Sequence, residues 1–154
     1  MSERSEARLE ELYRANGDRL WRALLGYTGD RDIASDSVAE AFAQALRRGV
    51  AIQDPLRWIW RAAFRIAAGE LKTRRWTVPG RTSVSDESPD RRLDLLAALS
   101  KLSPKQRGAV ILHHYAGYPV KEVAATLGST SAAVRVHLLR GRKRLRELLE
   151  EHDV

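Results

Sequence analysis

The sequence predicts an all-α protein of two small helical domains joined by a flexible linker, the C-terminal one carrying a helix-turn-helix. Apolar residues recur at three- and four-residue steps through most of the 154 residues, which is the pattern of amphipathic helices. No stretch alternates apolar and polar residues as a strand does. One segment rich in Pro, Gly and Ser interrupts the helical pattern. We therefore place domains at 1–76 and 93–154 and the linker at 77–92.

The N-terminal domain is expected to contain three helices. The first should be interrupted over Gly26–Gly29, because glycine favours helix ends. Asp30 or Asp32 is a suitable N-cap for the second, which should stop near Gly49. Pro55 suits the first turn of the third helix, where no backbone N–H is needed.

Capping signals also define the C-terminal domain. Ser103 and Gln106 have the spacing of a capping box and predict the start of a helix. The segment Val120–Arg144 fits a DNA-binding helix-turn-helix, with Gly128 supplying the turn and Thr130 capping the last helix. A basic helix alone could be an ordinary solvated face, but these turn and cap signals favour DNA binding.

The last helix carries the residues expected to contact duplex DNA. Recognition helices place their first residues against base edges in the major groove, and later cations lie near phosphates. Ser131, Ala132 and Arg135 are the candidates for base contacts. The whole predicted contact set is Thr130, Ser131, Ala132, Arg135, His137 and Arg140.

Charge and composition narrow the function classes. The net charge is +7, with the excess confined to segments 55–76 and 94–154, so two separate surfaces are suited to a polyanion. Cysteine is absent and no catalytic or metal-binding motif is recognisable, so we expect neither an enzyme nor a cofactor or metal. No apolar run approaches the roughly 20 residues that span a bilayer. The N-terminus also lacks a signal-peptide core. We expect a cytoplasmic protein with no membrane insertion.

Three segments carry a resemblance to a known family. Asp30–Leu46 reads DRDIASDSVAEAFAQAL, Pro55–Trp76 reads PLRWIWRAAFRIAAGELKTRRW, and Leu99–Leu148 opens with LSPKQRGAV. In this order they resemble region 2.2, regions 2.3 and 2.4, and region 4 of extracytoplasmic-function sigma factors of bacterial RNA polymerase. The resemblance implies promoter-specific initiation of transcription. The implied partners are the β′ clamp and β flap of core RNA polymerase, promoter DNA and an anti-sigma factor.

Two helix faces fit this resemblance. Asp32, Asp36 and Glu40 lie at four-residue steps and form one acidic stripe, which the resemblance assigns to the β′ clamp. Without the resemblance, a solvated face is the favoured interpretation of that stripe. On the next helix the predicted minus-10 contacts are Arg57, Trp58, Arg61 and Arg65. Cations that follow phosphates, interleaved with aromatics that stack on bases, are what single-stranded DNA binding requires.

Some assignments stay open at this stage. Trp58 belongs either to the core or to the DNA surface, whereas Trp60 is expected in the core. Arg65 and Gly69 replace the usual Asn and Asp of the promoter-reading helix, so the minus-10 preference of typical members does not carry over. The main alternative is a stand-alone helix-turn-helix regulator with a helical sensing domain. That alternative leaves the acidic stripe and the Arg/Trp helix unexplained.

Overall fold

The computed structural model describes residues 3–49, 52–73 and 91–152, the last range with side chains from 94 to 150. Every regular element within these ranges is helical, which confirms the predicted fold class. The elements are α1 (Glu3–Thr28), α2 (Arg31–Arg48), α3 (Pro55–Thr73), α4 (Arg91–Ser100), α5 (Pro104–Val110), a π-helical turn (Ile111–Tyr115), α6 (Val120–Leu127) and α7 (Ser131–His152).

Most of the predicted linker at 77–92 lies outside the described residues, and so does Trp76. Helix α4 begins at Arg91, slightly before the predicted start of the second domain at 93. For convenience we call α1–α3 the N-terminal half and α4–α7 the C-terminal half.

The N-terminal helices begin and end at identifiable signals. Asp30 caps α2, since its Oδ1 accepts from the backbone N–H groups of Asp32 at 2.8 Å and Ile33 at 3.0 Å. The predicted interruption over Gly26–Gly29 is wrong for its first residues. Helix α1 continues through Gly26, and only Gly29, with φ of 69°, takes the left-handed conformation that ends it.

The C-terminal half confirms the predicted capping. Ser103 and Gln106 form both hydrogen bonds of the capping box. Gly128 ends α6 in the left-handed conformation with φ of 63°, and Thr130 Oγ1 accepts from the N–H of Ala133 at 3.1 Å. The π-helical turn after α5 was not predicted, and it is closed by the Ala116 N–H donating to the Ile111 carbonyl at 3.0 Å.

The two halves pack against each other through one continuous hydrophobic core. In the N-terminal half, α1 buries Leu24, α2 buries Ile33 and α3 buries Phe64. In the C-terminal half, Val123 of α6 and Val134 of α7 are buried. Helix α1 also contacts α4, α5 and the π-helical turn, and α3 contacts α6. Two chain halves predicted as separate domains therefore share an interface that the sequence did not reveal.

Candidate nucleic-acid and protein-binding surfaces

The predicted acidic stripe lies on α2. Asp32, Asp36 and Glu40 are all exposed, while the opposite face of the helix is buried in the core. Glu40 Oε1 accepts from Gln44 Nε2 at 3.1 Å and from Arg47 Nη2 at 3.0 Å. These two hydrogen bonds lower the pKa of Glu40, so its carboxylate stays ionised at neutral pH. The stripe is therefore an accessible row of negative charge.

An open groove runs between α1 and α2 beside this stripe. Tyr13, Trp21 and Val38 line it with apolar surface, and its rim carries Arg14 and Asp18. The Trp21 indole N–H is satisfied, because it donates to Ser35 Oγ at 3.0 Å. Sequence reasoning missed this groove, although two aromatic residues of α1, the exposed Tyr13 and the half-buried Trp21, were a usable signal.

The predicted minus-10 residues share one face of α3. Arg57 and Arg65 are exposed, and Arg61 is half-buried with no hydrogen-bond partner for its Nε among the described residues. Trp58 is half-buried against the core, with the Arg48 guanidinium 5.7 Å from its ring centre. Trp60 is buried beside Phe64, which confirms its expected core position.

The C-terminal half covers part of this basic face. Arg57 Nη1 lies 3.5 Å from Glu122 Oε1, and its guanidinium lies 5.7 Å from the ring centre of Tyr118. Arg65 Nη2 donates to the backbone carbonyl of Ala125 at 3.3 Å. Both Glu122 and Ala125 belong to α6, the first helix of the helix-turn-helix. The face predicted to hold DNA is thus engaged by the chain itself.

The predicted minus-35 residues are placed differently. Thr130, Ala132, Arg135 and Arg140 are exposed at the start and middle of α7, and Ser131 and His137 are half-buried. Burial lowers the pKa of His137, and the nearby charges of Lys105 and Arg140 lower it further. The imidazole is therefore mainly neutral at pH 7 in the free chain.

The turn before α7 sets the orientation of this surface. Val134 and Leu138 are buried beneath the crossing with α6, which turns the opposite face of α7 towards solvent. Further along that face lie Arg142, Lys143, Arg144 and Arg146, all exposed. Arg144 pairs with Glu147 at 3.7 Å and Arg142 Nε donates to the carbonyl of Leu138, so these contacts stay within α7.

The described residues, 3–49, 52–73 and 91–152, contain no cluster of His, Asp and Glu side chains suited to a metal ion. Within the same ranges, no helix is long and apolar enough to cross a membrane.

Several known proteins are similar to this chain in sequence. The model of the family "Sigma-70, region 4" matches residues 92–145. The probable ECF RNA polymerase sigma factor SigI of Mycobacterium tuberculosis is 33% identical over 82% of this chain, which spans 53% of that relative's length. The RNA polymerase sigma-E factor of Streptomyces antibioticus is 31% identical over 94% of this chain and 86% of its own length.

A solved structure shares the fold. The sigma factor RpoE of Bartonella quintana, determined in complex with the anti-sigma factor NepR, superposes with a TM-score of 0.73. Its identity is 21%, and the match covers 92% of this chain and 95% of that one. The arrangement of helices in both halves therefore occurs in an experimentally determined protein.

Proposed function

This chain belongs to the family of extracytoplasmic-function (ECF) RNA polymerase sigma factors, and we propose that it directs promoter-specific initiation of transcription. Its role is to bind and position other molecules, with no bond chemistry of its own, in the cytoplasm where bacterial RNA polymerase works. One observation carries the proposal: a single chain presents an accessible acidic stripe on α2 and separate basic surfaces on α3 and α7.

Core RNA polymerase is the proposed partner of α2. The exposed Asp32, Asp36 and Glu40 offer negative charge to a basic helical surface such as the β′ clamp, and complementary charge speeds and orients association. The neighbouring groove adds Tyr13 and Trp21, aromatic residues of the kind enriched in protein interfaces. Charge and apolar area therefore occur side by side, as a specific interface requires. The β flap is the proposed partner of the C-terminal half.

Promoter DNA is the proposed ligand of both basic surfaces. Residues 1–76 would hold the melted minus-10 strand on α3, where Arg57, Arg61 and Arg65 follow phosphates and Trp58 lies close by. Residues 93–154 would read the minus-35 duplex with the exposed start of α7. Residues 77–92 would set the distance between the two.

An anti-sigma factor is a further proposed partner. The Bartonella quintana RpoE with the same fold was determined bound to one, NepR. Such a protein would act here by covering the acidic stripe, the basic surfaces or both.

The test is a pull-down of the purified chain with sigma-free core RNA polymerase. The charge reversal Asp36→Arg/Glu40→Arg should weaken binding at least about ten-fold, because attractive charge pairs become repulsive. Glu6→Arg/Glu10→Arg is a matched control, since these residues are exposed on α1 at the same spacing and the charge change is equal. Binding should survive in the control.

Two results would contradict the proposal. Equal loss in both double variants would mean that net charge alone drives the association. No binding of the unmodified chain, together with tight binding to duplex DNA, would favour the stand-alone regulator instead.

A further inference from the structure

Two large apolar side chains of α7 are exposed to solvent. Leu139 is 64% exposed and Val136 is 43% exposed. Single exposed apolar residues are common on protein surfaces and need no explanation. This pair is different, because two residues three positions apart lie next to each other on one face of a helix. The helix is also the one proposed to bind duplex DNA.

Helical geometry places the pair at the centre of the exposed face of α7. At about 100° per residue, Ala132, Val136 and Leu139 fall within about 60° of one another around the helix axis. All three are exposed. Val134, which is about 160° from Ala132 around the axis, is 0% exposed. We call Ala132, Val136 and Leu139 the apolar stripe, and it lies on the side of α7 opposite the core.

Positive charge borders the apolar stripe on both sides. Arg135 lies about 60° from Ala132 in one direction around the axis, and Arg140 lies about 80° in the other. Both arginines are exposed, and no Asp or Glu occurs between Ser131 and Arg146. The apolar centre of an interface between proteins is depleted of charge, whereas a polyanion requires cations around the contact. The charge pattern therefore favours nucleic acid as the molecule that covers the stripe.

The apolar stripe also has a length that suits the major groove. Ala132 and Leu139 are separated by about 10 Å along the helix axis. The major groove of B-DNA is about 12 Å wide and admits one α-helix, whose first turns face the base edges. In that groove the base edges present one apolar group, the C5 methyl of thymine. An apolar side chain between two arginines therefore has a specific partner there.

We propose that Val136 and Leu139 are specificity-determining residues that select thymine by covering its C5 methyl group in the major groove. The proposal rests on the proposed duplex binding by α7 and adds to it the chemical group that is recognised. Removing one methyl-sized group from water corresponds to about four-fold in affinity. Because cytosine lacks this methyl, each covered methyl should favour thymine over cytosine by about that factor.

The test compares thymine with uracil, which differ only by this methyl group. The full-length unmodified chain first selects duplexes from a randomised pool, and each thymine of a selected duplex is then replaced singly by deoxyuridine. Replacement at one or two positions should weaken binding about four-fold each, as measured by fluorescence anisotropy at fixed salt concentration. At such a position, a 5-methylcytosine–guanine pair should bind more tightly than a cytosine–guanine pair by a similar factor, because the added methyl occupies the same place.

Alanine variants assign each methyl group to a side chain. Val136→Ala and Leu139→Ala should each remove the uracil effect at one position and leave the effect at the other. Both residues are exposed and alanine favours a helix, so the variants should fold. Leu95→Ala is the matched control, because Leu95 of α4 is 43% exposed, like Val136. This control should retain every uracil effect.

Several results would overturn the proposal. Selected duplexes that share no thymine, or that bind equally well with uracil at every position, would remove the methyl contact. Uracil effects that persist in both alanine variants would assign the methyl groups to other residues. Self-association that is lost in Val136→Ala or Leu139→Ala, measured by sedimentation and with uracil effects unchanged, would make the stripe an interface between copies of the chain.

Failure of this proposal is distinguishable from failure of the proposed function. Polymerase binding that depends on Asp36 and Glu40, together with salt-dependent duplex binding, would leave the sigma-factor function standing without any methyl contact. A chain that selects no duplex at all would contradict both the methyl contact and the proposed duplex binding by α7.

Discussion

Helices α3 and α7 are both basic, but their arginine side chains make different contacts. Arg57 and Arg65 of α3 are engaged by α6 of the opposite half, through Glu122 and the Ala125 carbonyl. The arginines of α7 make their polar contacts within their own helix and otherwise face solvent. Two basic segments of the sequence therefore correspond to one partly covered surface and one more accessible surface.

The position of each helix in the fold explains this difference. Helix α3 packs on α1 and α2, and its remaining face lies towards the C-terminal half. Helix α7 packs on α4, α5 and α6, and its residues Ala132, Arg135 and Arg140 are exposed among the described parts of the chain. Charge makes both helices candidate nucleic-acid surfaces, whereas packing determines how much of each surface is accessible.

The largest expected effect concerns the basic face of α3. Arg61→Ala/Arg65→Ala, assayed with core RNA polymerase, should reduce promoter melting at least about ten-fold, because phosphate contacts to the melted strand are lost. Permanganate reactivity of unpaired thymines measures the melting. Arg4→Ala/Arg8→Ala removes the same charge at the same spacing from exposed α1 and should leave melting intact. Loss of duplex binding in the α3 variant would show that the two surfaces are not independent.

An intermediate effect is expected for duplex binding by Arg135 and Arg140 of α7. Arg135→Ala should lower discrimination among duplexes selected by the unmodified chain by about 1–3 kcal/mol, the typical size of an arginine–guanine contact. Arg140→Ala should weaken binding to all duplexes by a similar factor. It should also reduce the slope of log affinity against log salt concentration by about one, because one phosphate contact is lost. Competition binding over a salt series measures both quantities. Unchanged discrimination in Arg135→Ala would remove that residue from the base-reading set.

The smallest expected effect concerns pH and His137. Burial and the charges of Lys105 and Arg140 keep the pKa of His137 below its ordinary value in the free chain. Phosphates nearby favour the charged imidazole, so duplex binding should take up a proton. Affinity should therefore rise, by less than about ten-fold, as pH falls from about 7.5 to about 5.5. His137→Gln should flatten this profile, and His114→Gln, which alters a histidine outside the predicted contact set, should not.

The features predicted correctly from sequence depend on residues close together in the chain. Asp30, Ser103, Gly128 and Thr130 each act on groups within about a helical turn, so their capping roles follow from local spacing. The helix faces bearing the acidic and basic stripes follow from helical periodicity in the same way.

The interface between the halves could not be predicted in this way. Arg107 and Tyr27 are 80 positions apart, and nothing near Arg107 in sequence distinguishes a buried arginine from an exposed one. Gly26 was interpreted as a helix breaker because its actual role, close packing against Ile111 and Leu99, depends on the C-terminal half. The same long-range packing decides which basic surface is covered.

The π-helical turn at Ile111–Tyr115 determines where Tyr118 reaches. The π-helical turn contains one residue more than an α-helical turn. The residues after it are therefore rotated by about 100° around the helix axis, relative to their positions in a continuous α-helix. The Tyr118 N–H then donates to the Leu112 carbonyl at 3.0 Å, and His113 Nδ1 lies 2.8 Å from the Tyr118 carbonyl. Deleting one residue here would return the helix to its ordinary phase and swing the tyrosine away from Trp60. The length of this short segment thus sets the angular alignment of one half of the molecule on the other.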